Sequence, residues 1–206
     1  MSLDYEIIGI TVLWTFLYLY VIIASIDFGA GFFNFYSKLT GDDNVISPII
    51  ARYLSPVWET TNVFFVFFFV GIVGFYPDTA YYLGTTLLLP GSLALILLSI
   101  RGSYYAFNSY NKESKLSWSA LYGITGLLIP AALSVALVIS EGGYIEETAT
   151  GIDLRFTDLI FSTYGWSVVF LAIISVLYIS SGFLTFYASK AEDKRASELT
   201  RTWFLI

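Results

Sequence analysis

Residues Pro56 to Pro77 read PVWETTNVFFVFFFVGIVGFYP, and this stretch decides the fold. At 1.5 Å per residue it spans roughly 30 Å, about one hydrocarbon thickness. The uncharged run from Val63 to Tyr76 is too short to cross a bilayer alone, so a spanning helix must take in the first turn and, with it, Glu59. An ionisable side chain at that depth marks a candidate functional site, because lipid offers it no hydration.

The rest of the chain carries the same signature. Of its 206 residues, 57% are apolar and only 13% charged, and the apolar residues fall in long runs rather than amphipathic stripes. These features predict an all-α integral membrane protein, a transmembrane helix bundle, and exclude a soluble enzyme or a nucleic-acid binder. Further spans are expected at Ile7 to Phe35, Thr79 to Arg101, Trp118 to Ser140 and Tyr164 to Ser189. Residues 1–140 then form a first four-helix transmembrane bundle, with spans at about 7–35, 56–77, 79–101 and 118–140. Residues 141–206 form an external acidic loop, a fifth span at 164–189 and the start of a sixth at Thr202. Because the sixth apolar run breaks off at Ile206, the chain is expected to be truncated, a piece of a longer one.

One echo links the two parts. GFFNFY, Gly31 to Tyr36, ends the first span, and GFLTFY, Gly182 to Tyr187, ends the fifth. Four spans separate them, so a parallel pseudo-repeat of four helices is expected, with chance similarity in an aromatic-rich chain as the alternative. Pro90 and Pro130 lie inside spans three and four and should bend them. Ser47 followed by Pro48 reads as an N-cap and first turn. Ile49, Ile50, Tyr53 and Leu54 then share one face of a short interfacial helix.

The basic residues set the orientation. Lys38, Arg52, Arg101, Lys112, Lys115, Lys190, Lys194, Arg195 and Arg201 share one side under this topology, and only Arg155 lies on the other. By the positive-inside rule the shared side is cytoplasmic and the N-terminus external. Asp4 and Glu6 near the start, and the length of the first apolar run, argue against a cleaved signal peptide. Trp14, Trp118, Trp166 and Trp203 read as interfacial anchors.

Three ionisable groups fall at one depth near the cytoplasmic side: Asp27 late in the first span, Glu59 at the start of the second and Arg101 at the end of the third. A carboxylate in lipid costs roughly 2.5–3.5 kcal/mol on insertion scales, so each must find a partner, meet water or take up a proton. Glu59 and Asp27 are therefore candidates for a proton pathway. Arg101 is either their charge partner or an anchor that snorkels to the interface. Asp27 could equally form a structural ion pair, and Glu59 could be a helix-N-terminal acid favoured by the dipole. Gly29 and Gly31 lie inside an apolar span and suit close helix approach rather than phosphate binding. The chain has no Cys, no His and only Met1, so the side chains that ligate haem, copper, zinc or iron–sulfur clusters are missing.

Taken in order, these residues resemble a known family. Asp4-Tyr5-Glu6 stand at the N-terminus, Asp-Phe-Gly-Ala-Gly (Asp27 to Gly31) ends the first span, and Pro56, Trp58 and Glu59 open the second. Tyr76-Pro77 closes it, and Arg101-Gly102 ends the third. The pattern resembles subunit II of the cytochrome bd-type quinol oxidases over about residues 4–110. The resemblance implies a subunit of a membrane complex that oxidises quinol and reduces dioxygen to water. It implies a haem-bearing subunit I as partner, holding haems b and d or b only, with no cofactor or metal ligated by this chain, which suits its missing His. A small single-span accessory subunit, membrane lipid and a bacterial plasma or inner membrane belong to the same expectation. Glu59 would be the family's proton-route carboxylate and Asp27 its neighbour. Four positions depart from the pattern: Ala24 stands where a second acid is common, Glu59 where Asp is common, and Thr60-Thr61 replace Gly-Asn. The departures imply a divergent branch, in which b as well as d is open for the third haem, and a route poorer in acids. The competing classes are an ion-coupled secondary transporter or channel subunit, with Asp27 and Glu59 holding a coupling ion, and a pure structural scaffold.

Overall fold

A computed structural model describes residues 2–41, 43–53, 55–108, 116–141, 143–148, 151–190 and 194–205. The chain opens with α1 (Ser2–Thr40), a helix of 39 residues without a proline, longer than any hydrocarbon core needs. It stops where Gly41 follows with a φ of 82°, a left-handed conformation that suits glycine. α2 (Asp43–Tyr53) and α3 (Ser55–Phe75) follow, then α4 (Pro77–Thr86) and α5 (Leu88–Asn108). α6 (Leu116–Ser140) leads into a hairpin of β1 (Ile145–Thr148) and β2 (Gly151–Leu154), paired antiparallel with Glu146 opposite Asp153. The short α7 (Phe156–Ile160), α8 (Thr163–Lys190) and α9 (Lys194–Leu205) complete the chain. The all-α membrane bundle expected from composition is the observed fold.

Among the described residues α1, α6 and α8 are long and apolar enough to cross a membrane. The described apolar part of α3, Thr61–Phe75, falls short by itself. The full 21-residue helix reaches a bilayer's thickness only by including the turn that holds Glu59.

The expected third span is broken. α4 and α5 meet at an angle of 82°. The break falls at Leu87, and Pro90 explains it. Proline has no N–H to give the carbonyl four residues back, that of Thr86, and its ring crowds that same carbonyl. α4 therefore ends at Thr86, and Pro90 becomes the third residue of a new helix, where no amide hydrogen is needed. The backbone is bonded on both sides of the elbow, Leu87 N–H to Leu83 C=O at 2.8 Å and Gly91 N–H to Leu87 C=O at 2.8 Å. In a chain without cysteine, spin labels on the exposed positions Tyr81 and Leu93 report the elbow directly. Pro90→Ala is expected to lengthen that distance by several ångströms as the elbow opens; an unchanged distance would place its cause elsewhere. Pro130 behaves differently, for α6 runs unbroken from Leu116 to Ser140 around it.

Two amphipathic helices begin earlier than expected. α2 starts at Asp43, so Ser47 is no cap; its hydroxyl instead donates to Asn34 Oδ1 at 2.9 Å. Ile46, Ile49 and Ile50 are its buried face, while Leu54, Lys112 and Lys115 lie outside the described residues. The segment read as the start of a sixth span belongs to α9, whose buried residues Ala196 and Thr200 seat it on the bundle. Trp203, expected to be an interfacial anchor, stacks on Phe33 at 4.9 Å. A hydrophobic cluster of Ala30, Phe33, Ile46, Leu184, Ala188 and Ala196 joins α1, α2, α8 and α9.

α1 is the central helix, packed by α3, α6 and α8. Its contact with α8 is parallel, and the 151-residue offset that carries Gly31 onto Gly182 also carries Asp43, first residue of α2, onto Lys194, first residue of α9. The same offset carries Gly29 onto Ser180, and these two residues touch. A Cβ built on Gly29 would lie 2.5 Å from Ser180 Cβ, and the Ser180 hydroxyl donates to Ile26 C=O at 2.9 Å. Small residues bring the two backbones together, as expected for Gly29.

Candidate functional site

The polar centre of the bundle is an ion pair between Asp27 of α1 and Arg101 of α5, with Arg101 wholly buried and Asp27 3% exposed. Arg101 Nε and Nη2 both lie 3.0 Å from Asp27 Oδ2. Nη2 also donates to the Asp27 backbone carbonyl at 2.6 Å, and Nη1 to the Tyr122 carbonyl of α6 at 2.8 Å. The Tyr122 hydroxyl closes the ring by donating to Asp27 Oδ1 at 3.0 Å. Three helices are thus tied at one level through a planar cation, whose fork of donors suits several acceptors at once.

Aromatic faces and glycines shape the seat. The guanidinium carbon lies 3.9 Å from the Tyr122 ring centre and 5.3 Å from that of Phe28, and Tyr104 stacks on the other side of the Tyr122 ring at 4.4 Å. A Cβ on Gly31 would come within 2.9 Å of Arg101 Nη1, and one on Gly126 within 3.1 Å of the same atom. The role of Gly31 is therefore to admit the guanidinium, beyond the close helix approach expected for it. Arg101 does not snorkel.

Glu59 enters through its backbone alone, since its side chain lies outside the described residues. α3 pairs with α1 antiparallel: Gly71 faces Leu13, Phe67 packs on Phe16 with ring centres 4.5 Å apart, and Phe65 on Tyr20 at 4.7 Å, both pairs tilted. Continued toward the start of α3, this register carries the Glu59 backbone to the level of Ser25 and Ile26, beside Asp27. The run Phe64 to Val70 buries only Phe65 and leaves Val66, Phe67, Phe69 and Val70 exposed, as suits contact with lipid or a partner.

Two members of the site escaped the sequence reading. Tyr122 and Gly126 sit mid-span in α6 with no charge to flag them; their signal is a polar-tipped aromatic and a small residue one turn apart. Two more buried groups stand near it. Among the described residues, Tyr20 Oη and Ser119 Oγ are buried side-chain oxygens without a hydrogen-bond partner, a condition that costs roughly 1–3 kcal/mol per group. No group of three or more His, Cys, Asp or Glu side chains among the described residues could hold a metal ion.

Away from the layer, the segment between α6 and α8 is held by its own contacts. Arg155 pairs with Asp158 at 3.2 Å and donates to Gly143 C=O at 2.6 Å, Tyr144 bonds Ser162 at 2.5 Å, and Tyr164 donates to Glu141.

Fold and site together define an all-helical integral membrane protein organised around a buried ion pair. The family described as Cytochrome bd terminal oxidase subunit II matches residues 5–206, and the chain belongs to it. It is 37% identical over 200 residues to the Bacillus subtilis (strain 168) protein described as "Putative cytochrome bd menaquinol oxidase subunit II", covering 97% of this chain and 57% of that protein. It is also similar to a chain of the bd oxidase from Geobacillus thermodenitrificans, with a TM-score of 0.81 and 57% identity over 98% of this chain and 61% of that one. The chain thus spans about three-fifths of the length of these relatives.

Proposed function

We propose that this chain is a haem-free subunit of a membrane-bound terminal quinol oxidase, stabilising a haem-bearing subunit I and passing protons inward from the cytoplasm. Family membership supports the oxidase setting, and the relatives' names point to quinol, menaquinol in one case, as the substrate of the complex. The chain's own donors do not fit haem, since it has no His, no Cys and only Met1, so haems b and d, or b only, belong to the partner. A small single-span subunit and lipid complete the assembly, in a bacterial plasma or inner membrane with the N-terminus of this chain outside. Residues 1–140 would be the first four-helix bundle and 141–206 the opening of its repeat.

The observation that carries the proton role is the α1–α3 register, which sets Glu59 level with Asp27 and Arg101, the two buried charged side chains among the described residues. A carboxyl group there, near the cytoplasmic ends of α1 and α3, can take a proton from water and release it deeper in the protein. For Asp27 a second reading is favoured by its geometry: with both oxygens engaged by Arg101 and Tyr122, it is the fixed counter-charge of the layer, and Glu59 is the carrier. Glu59→Leu in the purified complex is expected to lower quinol oxidase turnover about tenfold or more with haem content retained. Unchanged turnover at native haem content would remove Glu59 from the route.

A further inference from the structure

We propose that Tyr20 and Ser119 are relay hydroxyls of this proton route, one on each side of the Asp27–Arg101 layer; the inference rests on the proton-delivering reading of Glu59. The two oxygens are buried side-chain polar atoms without a partner among the described residues, and they bracket the ion pair. Ser119 lies one turn before Tyr122 in α6. Because α6 runs antiparallel to α1, with Gly123 against Phe35 and Tyr122 against Gly31, Ser119 stands on the cytoplasmic side of the layer. Tyr20 lies two turns of α1 away from Asp27 in the opposite direction, about 10.5 Å deeper.

The spacing along α1 is regular. Leu13, Tyr20, Asp27 and Asn34 recur every seven residues and are all buried, at 2%, 1%, 3% and 5% exposure. Seven residues make nearly two whole turns, so the four share one face. Three of them are polar, and Asn34 at the cytoplasmic end is joined by Ser47. A buried face that only had to pack would be apolar throughout.

The chemistry suits a hydroxyl. Each one accepts a proton from a water on one lone pair while handing its own O–H proton to the next water, then rotates back; it is neutral before and after, and no other bond changes. At the layer itself the Arg101 charge is offset by Asp27, so a passing proton does not face a bare cation.

The test is Tyr20→Phe and Ser119→Ala in the intact haem-loaded complex, with turnover referred to haem and measured in H2O and D2O. Each variant is expected to slow turnover about fivefold or more and to enlarge the D2O effect. Native turnover with a native isotope effect in both would overturn the proposal. Should Tyr20→Phe disturb assembly, Tyr20→Ser separates the roles, since it keeps a hydroxyl and makes room for water: turnover faster than that of the Phe variant supports the relay, and equal loss overturns it. Glu59→Gln run in parallel isolates the parent reading. A slow Glu59→Gln with unaffected Tyr20 and Ser119 variants sinks this inference alone, whereas native rates throughout sink both.

Discussion

Arg101→Leu is expected to destabilise the protein by about 3–5 kcal/mol, the range for stripping one partner from a buried ion pair. Three consequences combine. Asp27 is left buried without its cation, the Tyr122 and Asp27 carbonyls lose their donors, and the three helices joined by the guanidinium lose their common tie. Denaturant or thermal unfolding of the purified complex in detergent measures the loss. The double variant Asp27→Leu, Arg101→Leu is expected to recover much of it, because replacing a whole buried pair by apolar side chains is often neutral. A single Arg101→Leu variant as stable as the native protein would show that the ion pair is not what holds this layer.

Gly126→Val is expected to be nearly as damaging. A Cβ at this position runs into the Phe28 carbonyl of α1 and comes within 3.1 Å of Arg101 Nη1. The first obstacle is backbone of a packed helix and cannot swing aside; the second displaces the guanidinium from its acceptors. Overpacking alone costs about 1–3 kcal/mol, and loss of the cation's alignment adds to it. Gly74→Ala is the matched control, since nothing lies within 4 Å of its added carbon; it should be neutral or slightly stabilising from helix propensity. Equal melting temperatures for Gly126→Val and Gly74→Ala would contradict the close approach of α1 and α6.

How far the sequence could be read depended on whether a signal is local. Apolar runs are local, so α1, α6 and α8 were readable within a few residues. The elbow was half readable: Pro90 announces a break, and the rule that proline strands the carbonyl four residues back moves it to Thr86. α9 was missed because Thr202 to Ile206 looks like an opening span, while the eight preceding residues are mostly charged or small, and the face that Ala196 and Thr200 bury shows only once the helix is packed on the bundle. Depth followed from counting along each span, which placed Asp27, Glu59 and Arg101 at one level. Rotation did not, so that Arg101 turns inward onto Asp27 emerged only from the packed helices. Tyr20 could have been found by its seven-residue spacing from Asp27, a period more easily noticed for apolar residues than for polar ones.

The parallel contact of α1 with α8 has a consequence for descent. Under a parallel repeat of four helices Ser180 would be the counterpart of Gly29, and a residue that meets its own counterpart lies on a two-fold axis, the self-contact of an isologous dimer. A duplicated and fused half-protein inherits that contact with one difference. In a homodimer a single codon change at the axis alters both sides at once, so only a residue that tolerates itself survives. After fusion the two sides mutate separately, and the position could split into a glycine that yields space and a serine that fills it with a hydrogen bond across the old interface.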